Sequence, residues 1–203
     1  MPKILSEDEV AEFRQRLLKT AEAAFATHGV DGVSMRQLAQ QLGCSATTPY
    51  RYFRNKDEIL AAVTAAALNR FSGALEKAFA AEGSSAEKAV AVRKAYVRFA
   101  FRNPKAYRLM FDAPHPSLSD YAELSEASGR ADRIMAAPLE RLTQEGSVKG
   151  DPRLLGRVFW SAIHGAVSLQ LAGKLASKPA FETVLESTLR LIMAGAMAAN
   201  HSA

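Results

Sequence analysis

Cysteine is almost missing from this 203-residue chain: Cys44 stands alone. No intrachain disulfide and no cluster of thiolate metal ligands can form, which fits a reducing compartment. Long hydrophobic runs are missing too. The longest uncharged stretch of the C-terminal half, 158–173, contains His164 and Gln170 and falls short of the roughly 20 residues a spanning helix needs. It reads as a buried helix, and no membrane partner is expected. Glu7, Asp8 and Glu9 stand where an export signal would need an apolar core, so the cytoplasm is the expected location. The parts of an active site are lacking as well. His28, His115, His164 and His201 show no metal-ligand spacing, and neither a Gly-rich phosphate loop nor a paired-His zinc helix occurs. No enzyme, metal or cofactor is expected. No convincing strand pattern is found.

What is present is helical periodicity in a chain with 48% hydrophobic residues, enough for one sizeable core or a core with a small appended module. Val10, Phe13, Leu17, Ala21, Ala24 and Phe25 form a stripe that stops at His28-Gly29. Val30-Asp31-Gly32 then supplies a turn. Ser34 is placed to cap a second helix with Gln37 as its box partner. Met35, Leu38, Ala39 and Leu42 give that helix one apolar face, and Gly43 ends it in the left-handed conformation a C-cap demands. Helical structure is expected to restart at Ser45. Asn55 with Glu58 caps a fourth helix, whose inward face carries Ile59, Leu60, Val63, Ala67 and Phe71.

A short capped helix, a Gly43-Cys44 turn and a second short helix form the geometry that sets a recognition helix in the major groove. The charge pattern agrees. Net charge is +5, yet the first 60 residues hold eight basic and eight acidic side chains. Between Asp31 and Asp57, however, lie Arg36, Arg51, Arg54 and Lys56 and no acid, a segment that favours a phosphate backbone.

The run from Gln37 to Ser45, followed by Thr48-Pro49-Tyr50-Arg51-Tyr52-Phe53-Arg54-Asn55-Lys56-Asp57-Glu58-Ile59-Leu60, closely resembles the DNA-binding domain of the TetR family of regulators. The likeness extends back through 23–34, so it covers roughly the first 60 residues. It implies that Ala46 and Thr47 lie nearest the base edges, as a methyl and a methyl-plus-hydroxyl contact, with Arg36 the leading candidate to reach a guanine. Thr48, Tyr50, Tyr52 and Lys56 fall where that family meets phosphates, and Ser34, Ser45 and Arg51 complete the expected DNA-facing set. Core packing is the competing role for Tyr50, and the expected one for Phe53. Pro49 departs from the family pattern. It deletes a backbone donor and restrains Thr48, so the recognition helix is expected to start late or tightly.

From about residue 86 the chain reads as longer helices. Val92, Tyr96, Phe99 and Ala100 face inward, Asn103-Pro104 breaks the helix, and a short helix through Tyr107, Leu109, Met110 and Phe111 leads to a rigid Ala113-Pro114-His115-Pro116 connection. Residues 118–145 resume helix, with a kink or break expected at Pro138. Two helices follow, one after Asp151-Pro152 and one from Phe181 to about Met197. Small residues such as Ala162, Gly165, Ala166, Ser168, Gly195 and Ala196 suit close helix approach, and these two helices are expected to form a homodimer interface. Trp160-x-x-x-His164-Gly165 resembles a signature of one subclass (WHG) of TetR C-terminal domains. Trp160 and His164 either line an effector cavity with Tyr96, Phe99, Met110 and Phe111 or pack as plain core. Lys88, Arg93, Lys94, Arg98, Arg102, Lys105 and Arg108 form an acid-free basic tract, which suits either a solvated face or an anionic effector.

The expected fold is all-α with about nine helices. Residues 1–60 are a three-helix helix-turn-helix DNA-binding domain, 56–82 a connecting helix, and 83–203 an effector-binding and dimerisation domain. The expected partners are double-stranded DNA, a small-molecule effector and a second copy of the chain. A helical adaptor, or a regulator controlled by a protein partner, is the alternative.

Overall fold

The computed structural model describes residues 6–112 and 116–198. Ala113, Pro114 and His115 of the expected rigid connection, and His201, lie outside the described residues. Eight α-helices follow one another: α1 Glu7–His28, α2 Met35–Gln41, α3 Lys56–Phe79, α4 Ser85–Arg102, α5 Pro104–Phe111, α6 Ala122–Gln144, α7 Pro152–Leu171 and α8 Lys178–Ala198. Short 3-10 turns occupy Pro49–Arg51 and Leu118–Asp120, and no strand occurs among the described residues. The expected ninth helix, the third of the helix-turn-helix, is reduced to the first of these turns.

Two compact units result. One comprises the residues up to Asn69 with Lys105–Ser128, the other Arg70–Pro104 with the residues from Gly129 on. The division falls inside α3 and inside α6, and Ser84 caps α4 through a capping box with Glu87.

In the first unit, α1 opens with a second capping box. The Glu9 amide donates to Ser6 Oγ at 3.2 Å and the Ser6 amide to Glu9 Oε2 at 2.9 Å. Glu7, Asp8 and Glu9 complement the positive end of the helix dipole. Leu17, Ala21, Ala24 and Phe25 are buried at helical spacing and meet Leu38, Phe53, Ile59, Leu60 and Leu109 in one core. Each fully buried Leu or Phe contributes about 1.5–3 kcal/mol relative to exposure. Val10, at the outer end of the expected stripe, lies at the surface. The end of α2 shows why glycine is required at Gly43. Its φ is +67, its amide donates to Gln40 O at 3.1 Å, and the Cys44 amide donates to Ala39 O at 3.0 Å. That bond pair reverses the chain through a left-handed residue.

In the second unit, α7 pairs extensively with α8 and also packs on α4. Phe71 stands edge-on to Tyr96 and Phe99, with ring centroids 5.2 and 5.3 Å apart. Asp151 caps α7 by accepting from the Arg153 amide at 2.9 Å, with Pro152 in the first turn, where its missing donor costs nothing. Gly156 of α7 lies against α6 so closely that a Cβ there would stand 3.1 Å from Ala136 Cα. Pro138 sits inside α6 without ending it, so of the expected kink or break the break does not occur. Glu76 of α3 and Arg130 of α6 form a two-pronged ion pair, with Nε to Oε1 at 2.7 Å.

Candidate functional site

The segment between α2 and α3 is shaped by Pro49. With no amide hydrogen at 49, the α-helical bond from residue 49 to Ser45 O is missing. Three-residue turns replace it: the Thr48 amide donates to Ser45 O at 3.0 Å, Arg51 to Thr48 O at 3.1 Å and Tyr52 to Pro49 O at 3.0 Å. Thr48 nevertheless keeps helical backbone angles, φ −59 and ψ −45, although a residue before proline is usually pushed to extended structure. Pro49 itself is buried. The tight expectation therefore describes this segment better than a full helix does.

Ser45, Ala46, Thr47, Tyr50 and Arg51 are exposed along this turn, and Ser34 and Arg36 are exposed at the start of α2. Tyr50 is 56% exposed, which decides against core packing, whereas Phe53 is 1% exposed. Ser45 Oγ lies 3.0 Å from Thr47 Oγ1 and 2.8 Å from Thr48 Oγ1, so three hydroxyls share one small network. Ser34 Oγ accepts from the Gln37 amide at 3.3 Å, the cap read from the sequence. Lys56 is half-buried and donates to Val30 O at 2.7 Å, committing part of its ammonium to the preceding turn. Tyr52 is likewise half-buried, its ring stacked on Phe13 at 4.5 Å and 26°. Arg14, which no sequence pattern singles out, places its guanidinium 4.4 Å from the Phe53 ring centroid and donates to Tyr52 O at 3.4 Å. Phe13 and Arg14 thus hold the C-terminal side of the exposed turn from α1.

The second unit holds a cavity of about 590 Å³ between α4, α6, α7 and α8, within the size range of small-molecule sites. Its walls include Tyr96, Trp160, Phe159, Leu139 and Met193, with Arg93, Arg190 and Glu186 as the charged groups. Trp160 Nε1 donates to Tyr96 OH at 3.2 Å, tying the α7 wall to the α4 wall. No group of His, Cys, Asp and Glu among the described residues could hold a metal ion. No helix of the described residues is long and apolar enough to cross a membrane.

Two family models match the chain. Residues 17–63 match the model described as bacterial regulatory proteins, tetR family, and residues 89–192 the one described as tetracyclin repressor-like, C-terminal domain. The chain belongs to the TetR family. Its members are DNA-binding transcriptional regulators, not enzymes. This chain is 22% identical over 220 residues to the HTH-type transcriptional regulator Rv1816 of Mycobacterium tuberculosis, covering 92% of this chain and 93% of that one. A protein of unknown function from Rhodococcus sp. RHA1 shares its fold with a TM-score of 0.76 at 27% identity, covering 97% of this chain and 99% of that one. The TetR family regulator PfmR of Thermus thermophilus aligns with a TM-score of 0.65 at 24% identity, over 88% and 97% of the two chains.

The TetR match places the exposed turn and α2 in its DNA-binding model and Trp160, His164 and Gly165 in its C-terminal one. Of the six residues expected at an effector site, Tyr96 and Trp160 line the cavity. Phe99 packs on Phe71 instead. His164 stays on the Trp160 face of α7, with ring centroids 5.7 Å apart, and pairs with Ser168 Oγ at 3.4 Å. Met110 and Phe111 belong to the first unit, where Phe111 meets Tyr107 at 4.9 Å. Arg93 and Arg190, absent from the expected set, are among the lining residues.

Proposed function

We propose that this TetR regulator is a homodimeric repressor that occupies a pseudo-palindromic operator and is released by a small molecule in the cavity of its second unit. In this reading residues 1–60 are the DNA-binding domain, 56–82 connect, and 83–203 bind effector and dimerise. The observation that carries it is the exposure of Arg36, Ser45, Ala46, Thr47, Tyr50 and Arg51 together in an acid-free segment that the core holds from behind. Arg36 and Thr47 read bases. Ser34, Ser45, Thr48, Tyr50, Arg51, Tyr52 and Lys56 set the register on phosphates. Because Lys56 and Tyr52 are already engaged inside the fold, their share of phosphate binding is the smaller.

Dimerisation is supported by an apolar stripe on the outer side of the last two helices. Leu154, Val158 and Leu169 of α7 and Val184 and Leu191 of α8 are all exposed, Leu191 by 75%. Their spacing keeps each set on one helix face, and an isologous pairing of α7 and α8 would bury them. Two copies then present two recognition turns one helical repeat apart, roughly 34 Å or a multiple. An effector that favours another spacing lowers operator affinity, and the operator lowers effector affinity by the same factor.

Selection of bound duplexes from a randomised pool, followed by titration of the winner, tests this. Enrichment of a palindrome is expected. An Arg36→Ala, Thr47→Ala variant should lose base preference at the corresponding positions, by about 1–3 kcal/mol per lost bidentate contact. A pool in which no sequence enriches would overturn the repressor reading and favour a protein-binding adaptor.

A further inference from the structure

The cavity is lined mainly by hydrocarbon, yet two guanidinium groups reach it from different helices: Arg93 from α4, half-buried, and Arg190 from α8. Among the described residues neither has an acid within ion-pair distance. Arginine carries five N–H donors and no acceptor, so the half-buried Arg93 guanidinium beside apolar walls leaves donors poorly satisfied, whereas Arg190 is exposed and its donors are met by water. Glu186, the one acid of the lining, lies one turn before Arg190 on α8 and is exposed. Two positive groups against one negative group leave the cavity positive. Lys94, next to Arg93 and exposed, adds to the same sign.

Resting on the effector reading above, we propose that the ligand class of this cavity is an apolar molecule bearing a single acidic group, with Arg93 and Arg190 as the anion-binding pair. The apolar body occupies the space bounded by Leu139, Phe159, Trp160 and Met193. The acid supplies the acceptors that the half-buried Arg93 lacks and takes the place of water on the exposed Arg190, in the two-pronged geometry that favours Arg over Lys. Glu186 offsets part of the field, which suits one anionic group and disfavours a polyanion.

Two dyes of matched skeleton test this on the full chain: anilinonaphthalene sulfonate, which is anionic, and phenyl naphthylamine, which is neutral. Energy transfer from Trp160, the sole tryptophan, reports dye bound near it, and the part of the signal lost in the arginine variants assigns it to the cavity. The anionic dye should bind the native chain more tightly. Arg93→Gln and Arg190→Gln should each weaken it roughly 10- to 100-fold, the loss of one hydrogen bond to a charged group, while leaving the neutral dye unchanged. Glu186→Gln should tighten the anionic dye by roughly two- to fivefold with the neutral dye unchanged, which separates it from a loosened fold, since a loosened fold takes up both dyes. Equal binding of the two dyes, or arginine variants that bind the anionic dye undiminished, would overturn the charge assignment alone. If neither dye binds the native chain at the cavity, both this assignment and the effector reading fall.

Discussion

Arg14 never faces the groove in the proposed complex, yet its removal should weaken DNA binding. The guanidinium over Phe53 at 4.4 Å is half-buried, which places the ring contact near the middle of the usual range, about 1 kcal/mol. Its bond to Tyr52 O is long at 3.4 Å, so about 0.5–1 kcal/mol is a fair share for that contact. Arg14→Ala therefore loosens the recognition turn by about 1.5–2 kcal/mol, at most a ten- to thirtyfold loss of affinity per recognition segment. The full loss appears only where ordering of the turn is marginal in the free protein. Fluorescence anisotropy on the selected operator, repeated across a salt series, separates this from a direct contact. A positioning residue leaves the salt slope and the base preference unchanged, whereas a phosphate contact lowers the slope by about one for each arginine removed. Arg14→Lys should recover little, since an ammonium lacks the planar face that lies over the ring. A lowered slope, or full affinity in Arg14→Ala, would refute the argument.

If the proposed dimer forms through α7 and α8, Leu191→Glu should convert it to monomer in sedimentation velocity, because it sets a carboxylate at the most exposed apolar position of α8, and operator binding should fall with it. Gly156→Ala should destabilise the second unit by about 1–3 kcal/mol, read as a lower melting temperature, since the new methyl meets the Ala136 backbone, which has no flexible end to move aside. Glu76 ties α3 to α6, and hydrogen bonding from Arg130, aided by the charges of Arg130 and Arg133 against a desolvation cost, holds its carboxyl below the ordinary value of 4.5. A lowered folded-state value means stability that is present above 4.5 and lost as pH falls through the folded value. Denaturant midpoints of Glu76→Gln and the native chain should thus differ at neutral pH and converge in acid; a constant difference would rule the linkage out.

Helix ends were the most legible part of this chain, because a cap is a local contract between neighbours: Ser34 with Gln37, Asn55 with Glu58 and Gly43 after α2 all act within a few residues of themselves. Pro49 announced a tight turn for the same reason. The role of Arg14 was not legible, since its partners Tyr52 and Phe53 lie nearly forty positions along the chain. At the cavity, Tyr96 and Trp160 could be paired by apolar periodicity, but Phe99 shares that periodicity and packs on Phe71. Arg93 was hidden inside a basic tract that reads equally well as a solvated face. Arg190 continues the four-residue row Lys178, Glu182, Glu186 of α8, which reads as a solvated face.

The linked hydroxyls of Ser45, Thr47 and Thr48 bear on how the operator can evolve. A hydroxyl rotates to give or to receive a hydrogen bond, and here each already has a neighbour to fall back on when DNA offers none. Arg36 has no such freedom, because a guanidinium only gives. Mutations in the operator opposite the hydroxyls should therefore be absorbed by a small reorientation, while one opposite Arg36 leaves a donor stranded. In the proposed complex, sequence information in the half-site would then be weighted toward the base pair under Arg36, and the set of target promoters would drift more freely at the position that Thr47 reads.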